Sequence, residues 1–352
     1  MIHSNFKLNN NSFTSLEVLK EHALKLSKEG TVEEKAVGQF IEEWIDEKDF
    51  IEVKTSGSTG NPKSITLYKS NVLNSAKATI DYFKLFENTK VLLCLPAKYI
   101  AGKMMLVRAM VAGWDLHMVS PGKEPLKSIN EVFDFTAMVP YQVFHSLEDL
   151  HKVKKVIIGG GAIPSKLEQE LQQIDTEAFA TYGMTETISH IAVRRVNGEK
   201  SSTVFSALPL VSFSQTQLGC LKINAKTISS EVQVTNDVVE LISPTSFKFL
   251  GRLDNVINSG GVKIFPEVVE RKLSHYIKQP FFVSSEKDDA LGERIILIVE
   301  SEKPLQLSDF TIAFESLSPY QRPKKLLVTP KFLYTDTEKI KRFEILSELL
   351  RG

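Results

Sequence analysis

The stretch Val153-Lys154-Lys155-Val156-Ile157-Ile158-Gly159-Gly160-Gly161-Ala162-Ile163-Pro164 decides the fold class. A short run rich in β-branched apolar residues ends on three glycines, and a proline opens a helical segment over 164–174, where the first turn tolerates a residue without an N–H. Residues 153–158 therefore read as a buried strand followed by a loop and a helix. The same alternation extends outward in both directions. Residues 179–181 read as the next strand. Upstream, 91–95, 116–119 and 135–139 read as strands, with helices over 102–112 and 141–150. Strands alternating with helices in this way call for a mostly parallel sheet covered on both faces.

The flanking regions differ in style. The first fifty residues read as two amphipathic helices, one beginning at Ser15 and one over 31–44, where Val32, Ala36, Phe40 and Ile41 recur at helical spacing. Thr31 with Glu34 has the form of a capping box. Residues 51–53 and 65–67 alternate as strands on either side of a Gly/Ser/Thr loop, and a helix follows over 70–83. Residues 203–250 read as short strands and turns of an antiparallel sheet. After Gly251-Arg252-Leu253-Asp254 comes a compact unit with a helix over 266–277, a hairpin of 281–284 with 294–299, and a helix over 308–317. The expectation is an α/β fold: a large N-terminal domain, 1–253, with a mostly parallel sheet plus an antiparallel portion, and a small mobile α+β C-terminal domain, 254–352.

Length and composition agree with this division. A chain of 352 residues suggests two domains. With 43 basic and 43 acidic residues it carries no net charge that calls for nucleic acid or an acidic membrane. Cys94 and Cys220 lie far apart inside apolar stretches, as small buried hydrophobes of a reduced compartment do. Met1-Ile2-His3-Ser4-Asn5-Phe6 lacks a basic region followed by an apolar run, so no signal peptide is expected. No stretch approaches the ~20 apolar residues of a membrane span. A cytoplasmic enzyme is expected.

The loop Thr55-Ser56-Gly57-Ser58-Thr59-Gly60-Asn61-Pro62-Lys63 concentrates hydroxyls, glycines and a lysine. Glycines let backbone approach an anion, hydroxyls and N–H groups donate to phosphate oxygens, and lysine adds a point charge. A Walker loop needs Gly directly before the Lys and a helix directly after it. Here Pro62 precedes Lys63 and strand-like alternation follows, so the loop reads as joining two strands.

This loop resembles the phosphate-loop signature of the adenylate-forming superfamily, which includes acyl- and aryl-CoA synthetases, luciferases and peptide-synthetase adenylation domains. Three further stretches match in order. Tyr182-Gly183-Met184-Thr185-Glu186-Thr187 resembles the Tyr-Gly-x-Thr-Glu motif. Gly251-Arg252-Leu253-Asp254-Asn255, with Ser259-Gly260-Gly261-Val262-Lys263-Ile264 and Pro266-Glu267, resembles the hinge and CoA-side motif. Lys339-Ile340-Lys341-Arg342 resembles the C-terminal Gly-Lys-x-x-Arg element. Within the superfamily the chain is most similar to the o-succinylbenzoate–CoA ligases of menaquinone biosynthesis, on Gly251–Val256 with Ser259-Gly260-Gly261, on Met138-Val139-Pro140-Tyr141-Gln142 and on Gly159-Gly160-Gly161-Ala162-Ile163-Pro164. Family members usually have a longer region before the phosphate loop, and a short form suits a small aromatic acid.

The resemblance implies roles. Thr55, Ser56, Gly57, Ser58, Thr59, Gly60 and Lys63 would hold the ATP phosphates. Tyr182 and Gly183 would line the nucleotide site, Thr185 would contact phosphate, and Glu186 would hold Mg²⁺. Asp237 would accept from the ribose hydroxyls, with Arg252 beside it. Asp254 is the expected hinge. Gly260 and Gly261 would line the channel for CoA, the co-substrate. Lys339 is the expected adenylation lysine, with Lys341 as a nearby alternative. Gly159–Gly161, Tyr141, Met138, His190 and Ile191 are candidates for the acyl pocket, and Lys98, Arg194 and Arg195 are candidates for the second carboxylate of o-succinylbenzoate.

Three positions depart from the family pattern: Tyr99 replaces a histidine, Asn236 replaces the glycine before Asp237, and Glu338 replaces the glycine before Lys339. They leave room for a non-catalytic nucleotide-binding protein, and a ligase for another aromatic acid such as benzoate is a separate alternative. No nucleic-acid partner and no integral membrane contact are expected, and a homo-oligomer stays open.

Overall fold

A computed structural model of the protein describes residues 2–54, 64–334 and 340–351, with Lys54 described by its backbone. Val153–Ile158 forms a strand whose last three residues are buried. It pairs in parallel with Phe133–Met138 on one side and with Glu177–Gly183 on the other. Parallel pairing continues from Phe133–Met138 to Lys90–Leu93 and then to Asp115–Met118. The two-residue strand Lys7–Leu8, too short to show a periodic pattern in sequence, adds itself in parallel to Asp115–Leu116. On the other side His190–Arg195 pairs antiparallel with Glu177–Gly183, Val204–Ala207 pairs antiparallel with His190–Arg195, and Ser246–Arg252 pairs antiparallel with Val204–Ala207. Ser212–Gln215, Cys220–Asn224 and Gln233–Ser243 extend this antiparallel part. The sheet is thus parallel where crossover helices connect its strands and antiparallel where turns do.

Each of the first two helices buries one face, but of the stripe expected over 31–44 only Phe40 and Ile41 are buried: Val32 is 80% exposed and Ala36 half-buried. Leu16–Glu29 buries Leu19 and Ala23, and Val32–Ile45 buries Val37, Phe40, Ile41 and Trp44. The capping box is present: the Thr31 N–H donates to Glu34 Oε2 at 2.8 Å and the Glu34 N–H donates to Thr31 Oγ1 at 3.3 Å. Lys69–Phe83 and Ile100–Ala112 pack against the sheet, with the Phe83 ring 5.5 Å from Phe135 and 5.0 Å from Phe179. The helix expected over 141–150 is two pieces, Pro140–His145 and a 3₁₀ stretch Leu147–Lys152. The helix expected over 164–174 is Ser165–Leu171, because Pro164 keeps an extended ψ of 142° and so precedes the first turn. Phe50–Lys54 and Ser64–Tyr68 form an antiparallel pair with Lys54 opposite Ser64, so the segment 55–63, which lies outside the described residues, has a strand at each end.

The chain divides into two compact units. One holds 1–214, 222–235 and 241–248; the other holds 215–221, 236–240 and 249–352. The second unit has its own five-stranded sheet. Its long hairpin, Phe281–Asp288 with Gly292–Glu300, exceeds the expected one, because Ser284 through Asp288 keep pairing beyond the apolar run. Residues 295–299 of its second strand form a continuous apolar run because both faces are covered there. Ile295, Leu297 and Val299 pack with Val269, Leu273 and Phe314, while Ile296 and Ile298 pack with Phe282, Phe332 and Ile345. Pro266–Leu273 is shorter than the expected helix, its end tightened by the Tyr276 N–H to Leu273 C=O bond of 2.9 Å. The helix expected over 308–317 is a 3₁₀ turn Leu307–Phe310 followed by Thr311–Glu315.

Asn197 is a buried polar residue that sets the start of the strand Glu177–Gly183. Its Nδ2 donates to the carbonyls of Leu171, Ile174 and Thr176 at 3.1, 2.9 and 2.8 Å, and its Oδ1 accepts from the Ala178 N–H at 3.0 Å. The Asn197→Ala variant loses these bonds and leaves buried groups unpaired. Urea denaturation is expected to show a loss of about 2–4 kcal/mol.

Candidate functional site

Two parallel strands of the first unit, Phe133–Met138 and Val153–Ile158, end level, and Glu177–Gly183 runs on beyond them to Gly183. Met138 is opposite Ile158, and Ile158 is opposite Ala180. Strand ends of this kind are where α/β proteins bind ligands. Gln142 ties the neighbouring loops together: its Nε2 donates to the Cys94 carbonyl at 2.9 Å and to the Gly122 carbonyl at 3.1 Å, and its Oε1 accepts from the Val139 N–H at 3.2 Å. Gly159 has no space for a side chain, since a Cβ there would stand 2.6 Å from Thr181 Oγ1. That hydroxyl donates to the Ile158 carbonyl at 3.1 Å.

Tyr182 and Gly183 end the strand, and the chain turns back through Thr185–Thr187 to pair Gly183 with His190. The Tyr182 ring lies 5.1 Å from Phe247 and 5.8 Å from Phe205. Thr187 is buried and holds the turn closed: its hydroxyl shares its one proton between the Met184 and Ser189 carbonyls, each 2.9 Å away, and accepts from the Met184 N–H at 3.0 Å. Ile188 then sits at φ 66°, ψ −54° inside a three-residue turn closed by the Ser189 N–H to Thr187 C=O bond of 2.7 Å. A β-branched residue in this rare turn is strained. The result is that Glu186 is exposed, Thr185 is half-buried, and both stand at the strand-end face.

Behind this turn lies a polar cluster that sequence reasoning reached only in part. Arg108, on the helix Ile100–Ala112, is 2% exposed. Its Nη2 donates to Ser189 Oγ at 2.8 Å, while its Nε has no hydrogen-bond partner. Among the described residues no carboxylate pairs with it. The contrast is Lys103 on the same helix, whose Nζ meets Glu43 at 2.7 Å. Burial pushes the Arg108 pKa down to about 9, so the guanidinium is charged at neutral pH. His190 is buried beside it, with Nδ1 3.3 Å from Ser189 Oγ and Nε2 3.4 Å from Thr79 Oγ1. Burial first, and then the Arg108 charge, hold its pKa well below the usual histidine value. Ile191 is fully buried.

The cations singled out from sequence are placed differently. Arg194 pairs with Glu168, and Arg195 meets Glu177 at 2.8 Å. Lys98 is exposed, 5.0 Å over the ring of Tyr99, which in turn begins the helix Ile100–Ala112. Arg108 went unnoticed because a charged residue amid Met104, Met105, Leu106, Val107, Ala109 and Met110 was absorbed into the helical pattern. That setting, an arginine with apolar residues from Met104 to Val107 before it and from Ala109 to Ala112 after it, is the available signal.

In the second unit Arg252 lies between two carboxylates, 3.9 Å from Asp237 and 3.5 Å from Asp254. Asn236 donates its side-chain N–H to Asp254, whose carboxyl is held below the ordinary range by that bond and by Arg252. Gly260 and Gly261 have φ of 58° and 80° and form the two-residue turn between Ile257–Ser259 and Val262–Ile264. Such a turn needs positive φ at both positions, so the glycines are required by the hairpin itself. A Cβ on Gly261 would meet nothing within 4 Å. The residues Thr55, Ser56, Gly57, Ser58, Thr59, Gly60 and Lys63, and also Lys339, lie outside the described residues.

Comparison with known proteins gives a consistent set of relatives. The AMP-binding enzyme family matches residues 10–212. The 2-succinylbenzoate–CoA ligase of Escherichia coli (strain K12) is 27% identical over 82% of this chain and 66% of its own length. That of Haemophilus influenzae is 25% identical over 72% of this chain and 60% of its own length. The chain thus spans about two-thirds of the length of these curated relatives. Among solved structures, an acyl-CoA synthetase (AMP-forming)/AMP-acid ligase II-like protein from Dyadobacter fermentans is 32% identical, with a TM-score of 0.64 over 94% of this chain and 98% of that one. The o-succinylbenzoate CoA synthetase of Bacillus subtilis, in complex with its acyl-adenylate intermediate, shares the fold with a TM-score of 0.70 at 21% identity, over 84% of this chain and 68% of that one.

The His190 environment predicts a pH effect on stability. Its folded pKa lies well below the ordinary histidine value of about 6.5, so between the two the unfolded chain binds the proton and the folded one does not. Stability from this group is present above that value and falls as pH drops below it, by up to about 1.4 kcal/mol per pH unit. Urea denaturation of wild type and His190→Gln between about pH 5 and about pH 7 is expected to show a shallower pH dependence in the variant.

Proposed function

The chain belongs to the AMP-binding enzyme family, and on that premise we propose that it is an AMP-forming acid–thiol ligase. Its acid is o-succinylbenzoate, its nucleotide ATP and its thiol CoA, which places it in menaquinone biosynthesis. The observation that carries the choice of acid is Arg108: a buried guanidinium without a carboxylate partner among the described residues, directed at Ser189 behind the strand-end face. Burying an unpaired charge is costly, so an anion is the partner this site lacks. An acid with a second carboxylate supplies one. Arg194 and Arg195 already have carboxylates, and Lys98 is in solvent.

The reaction then runs in two displacements. A carboxylate oxygen of the acid attacks the α-phosphorus of ATP, the bond to the bridging oxygen breaks, and pyrophosphate leaves. The sulfur of CoA next attacks the acyl carbon, AMP leaves with the bonding pair, and the thiol proton passes to solvent. In this reading Thr55–Lys63 and Thr185 hold phosphate oxygens, and Lys339 stabilises charge in the first step. Asp237 and Arg252 hold the ribose, Gly260 and Gly261 face CoA, and Asp254 is the hinge by which the domain from 254 onward exchanges Lys339 for the glycine turn. Glu186 is exposed and pairs with no cation among the described residues. A single carboxylate with substrate phosphates suits Mg²⁺, which when bound neutralises phosphate charge. Two free buried cysteines support a cytoplasmic setting. No helix among the described residues is long and apolar enough to cross a membrane.

The direct test is release of AMP from ATP with o-succinylbenzoate and CoA, set against benzoate and other aromatic acids. The reading predicts turnover with o-succinylbenzoate; preference for a monocarboxylic acid, or no AMP with any acid, would sink it. Arg108→Met is expected to lower kcat/KM for o-succinylbenzoate by about tenfold to a hundredfold, the worth of a charged hydrogen bond. Its melting temperature is expected to stay level or rise, because an unpaired buried charge has been removed.

A further inference from the structure

The second unit holds the chain on both sides of residues 335–339 by two separate carboxylates. Upstream, Glu300 Oε2 accepts from the Phe332 N–H at 2.8 Å and from the Tyr334 hydroxyl at 3.3 Å. Tyr334 and Ile340 form an antiparallel bridge, and the Lys341 N–H donates to the Leu333 carbonyl at 2.9 Å. Downstream, Arg342 opens the helix Arg342–Leu349 and forks onto Glu270, Nη1 to Oε1 at 2.8 Å and Nη2 to Oε2 at 2.9 Å. Glu270 is fixed in turn, its Oε1 accepting from the Val283 N–H at 2.8 Å. The guanidinium also lies 5.6 Å over the ring of the fully buried Phe282, and Ile345, three residues on, packs into the same cluster. A planar fork held by two parallel bonds and a ring face fixes direction as well as position, which a lysine cannot do.

We propose that Arg342 and Glu270 are positioning residues for adenylation: their fork sets the place and heading of the chain at Ile340–Arg342, and through it the approach of Lys339, which directly precedes Ile340 in sequence. The inference rests on the reading of Lys339 as the adenylation lysine. Lys341, the other lysine nearby, is turned to Glu344 at 3.2 Å. Burial raises the Glu270 carboxyl above the ordinary carboxylate range, and the Arg342 guanidinium pulls it back down.

The test uses the full chain with three variants, Arg342→Lys, Glu270→Gln and Lys339→Ala. Three quantities are read: ATP–pyrophosphate exchange with o-succinylbenzoate, thioester formation from supplied acyl-adenylate and CoA, and the melting temperature. The fork variants are expected to lower exchange by about a hundredfold, through kcat with the KM for ATP little changed, as misplacement of a reacting group does. Thioester formation is expected to keep its wild-type rate. Equal loss in both half-reactions would make the fork a structural clamp and overturn the proposal, as would wild-type exchange in the fork variants. Glu270→Gln keeps the shape of the side chain and serves where Arg342→Lys does not fold. Lys339→Ala separates the two levels. If it retains exchange, the reading beneath fails and takes the proposal with it. If it abolishes exchange while the fork variants keep it, the proposal alone fails.

Discussion

Parallel pairing without a register slip is the constraint on which the first unit depends. Phe133–Met138 and Val153–Ile158 run together to a common end, while Glu177–Gly183 continues past Ala180 to Gly183, so two loops leave the sheet at one level and the third beyond them. A slip of one residue would exchange the two faces of a strand, carrying buried Val156 and Ile158 to one side and buried Ile157 to the other, away from the neighbours each now packs against. The register is pinned from both ends. Asn197 fastens the start of the strand Glu177–Gly183 to the end of the helix Ser165–Leu171, and the Thr181 hydroxyl fastens its far end to the Ile158 carbonyl. Gly159 lets those two strands close at that point.

The strand-end face is therefore a geometric product, and its chemistry comes from a second source. The turn from Gly183 to His190 carries polar groups outward at Thr185 and Glu186 and inward at Thr187, Ser189 and His190. The inward set meets Arg108, reached from the opposite direction by a helix. One short segment thus joins a solvated carboxylate to a desolvated cation. The two signs are separated by the backbone of the turn.

Much of this was legible in the sequence where the signal was local. Val153–Ile158 has the bounds its composition suggested, the Thr31–Glu34 cap is formed, and the strand on each side of 55–63 followed from alternation and from Pro62. What escaped was set by distant partners. The two residues Lys7–Leu8 are a strand only because Asp115–Leu116 offers them an edge. The hairpin in the second unit runs on to Asp288 because Arg294 and Lys325 neutralise Glu286, which composition alone could not foresee. Arg194 and Arg195 looked available as cations until Glu168 and Glu177 were seen beside them. Arg108 is the converse, a buried cation beside Ser189 with no carboxylate against it among the described residues.

Ile188 carries a consequence of another kind. Its backbone occupies a region that glycine would enter without cost, and holding a β-branched residue there takes about 1–3 kcal/mol from the folded state. An engineer seeking heat resistance would reach for this position early. The same exchange would loosen the segment between Glu186 and Ser189, because glycine gives the chain new backbone freedom as it relieves the old strain. Robustness and a stiff turn therefore draw on one residue in opposite senses, and this chain has the stiff turn.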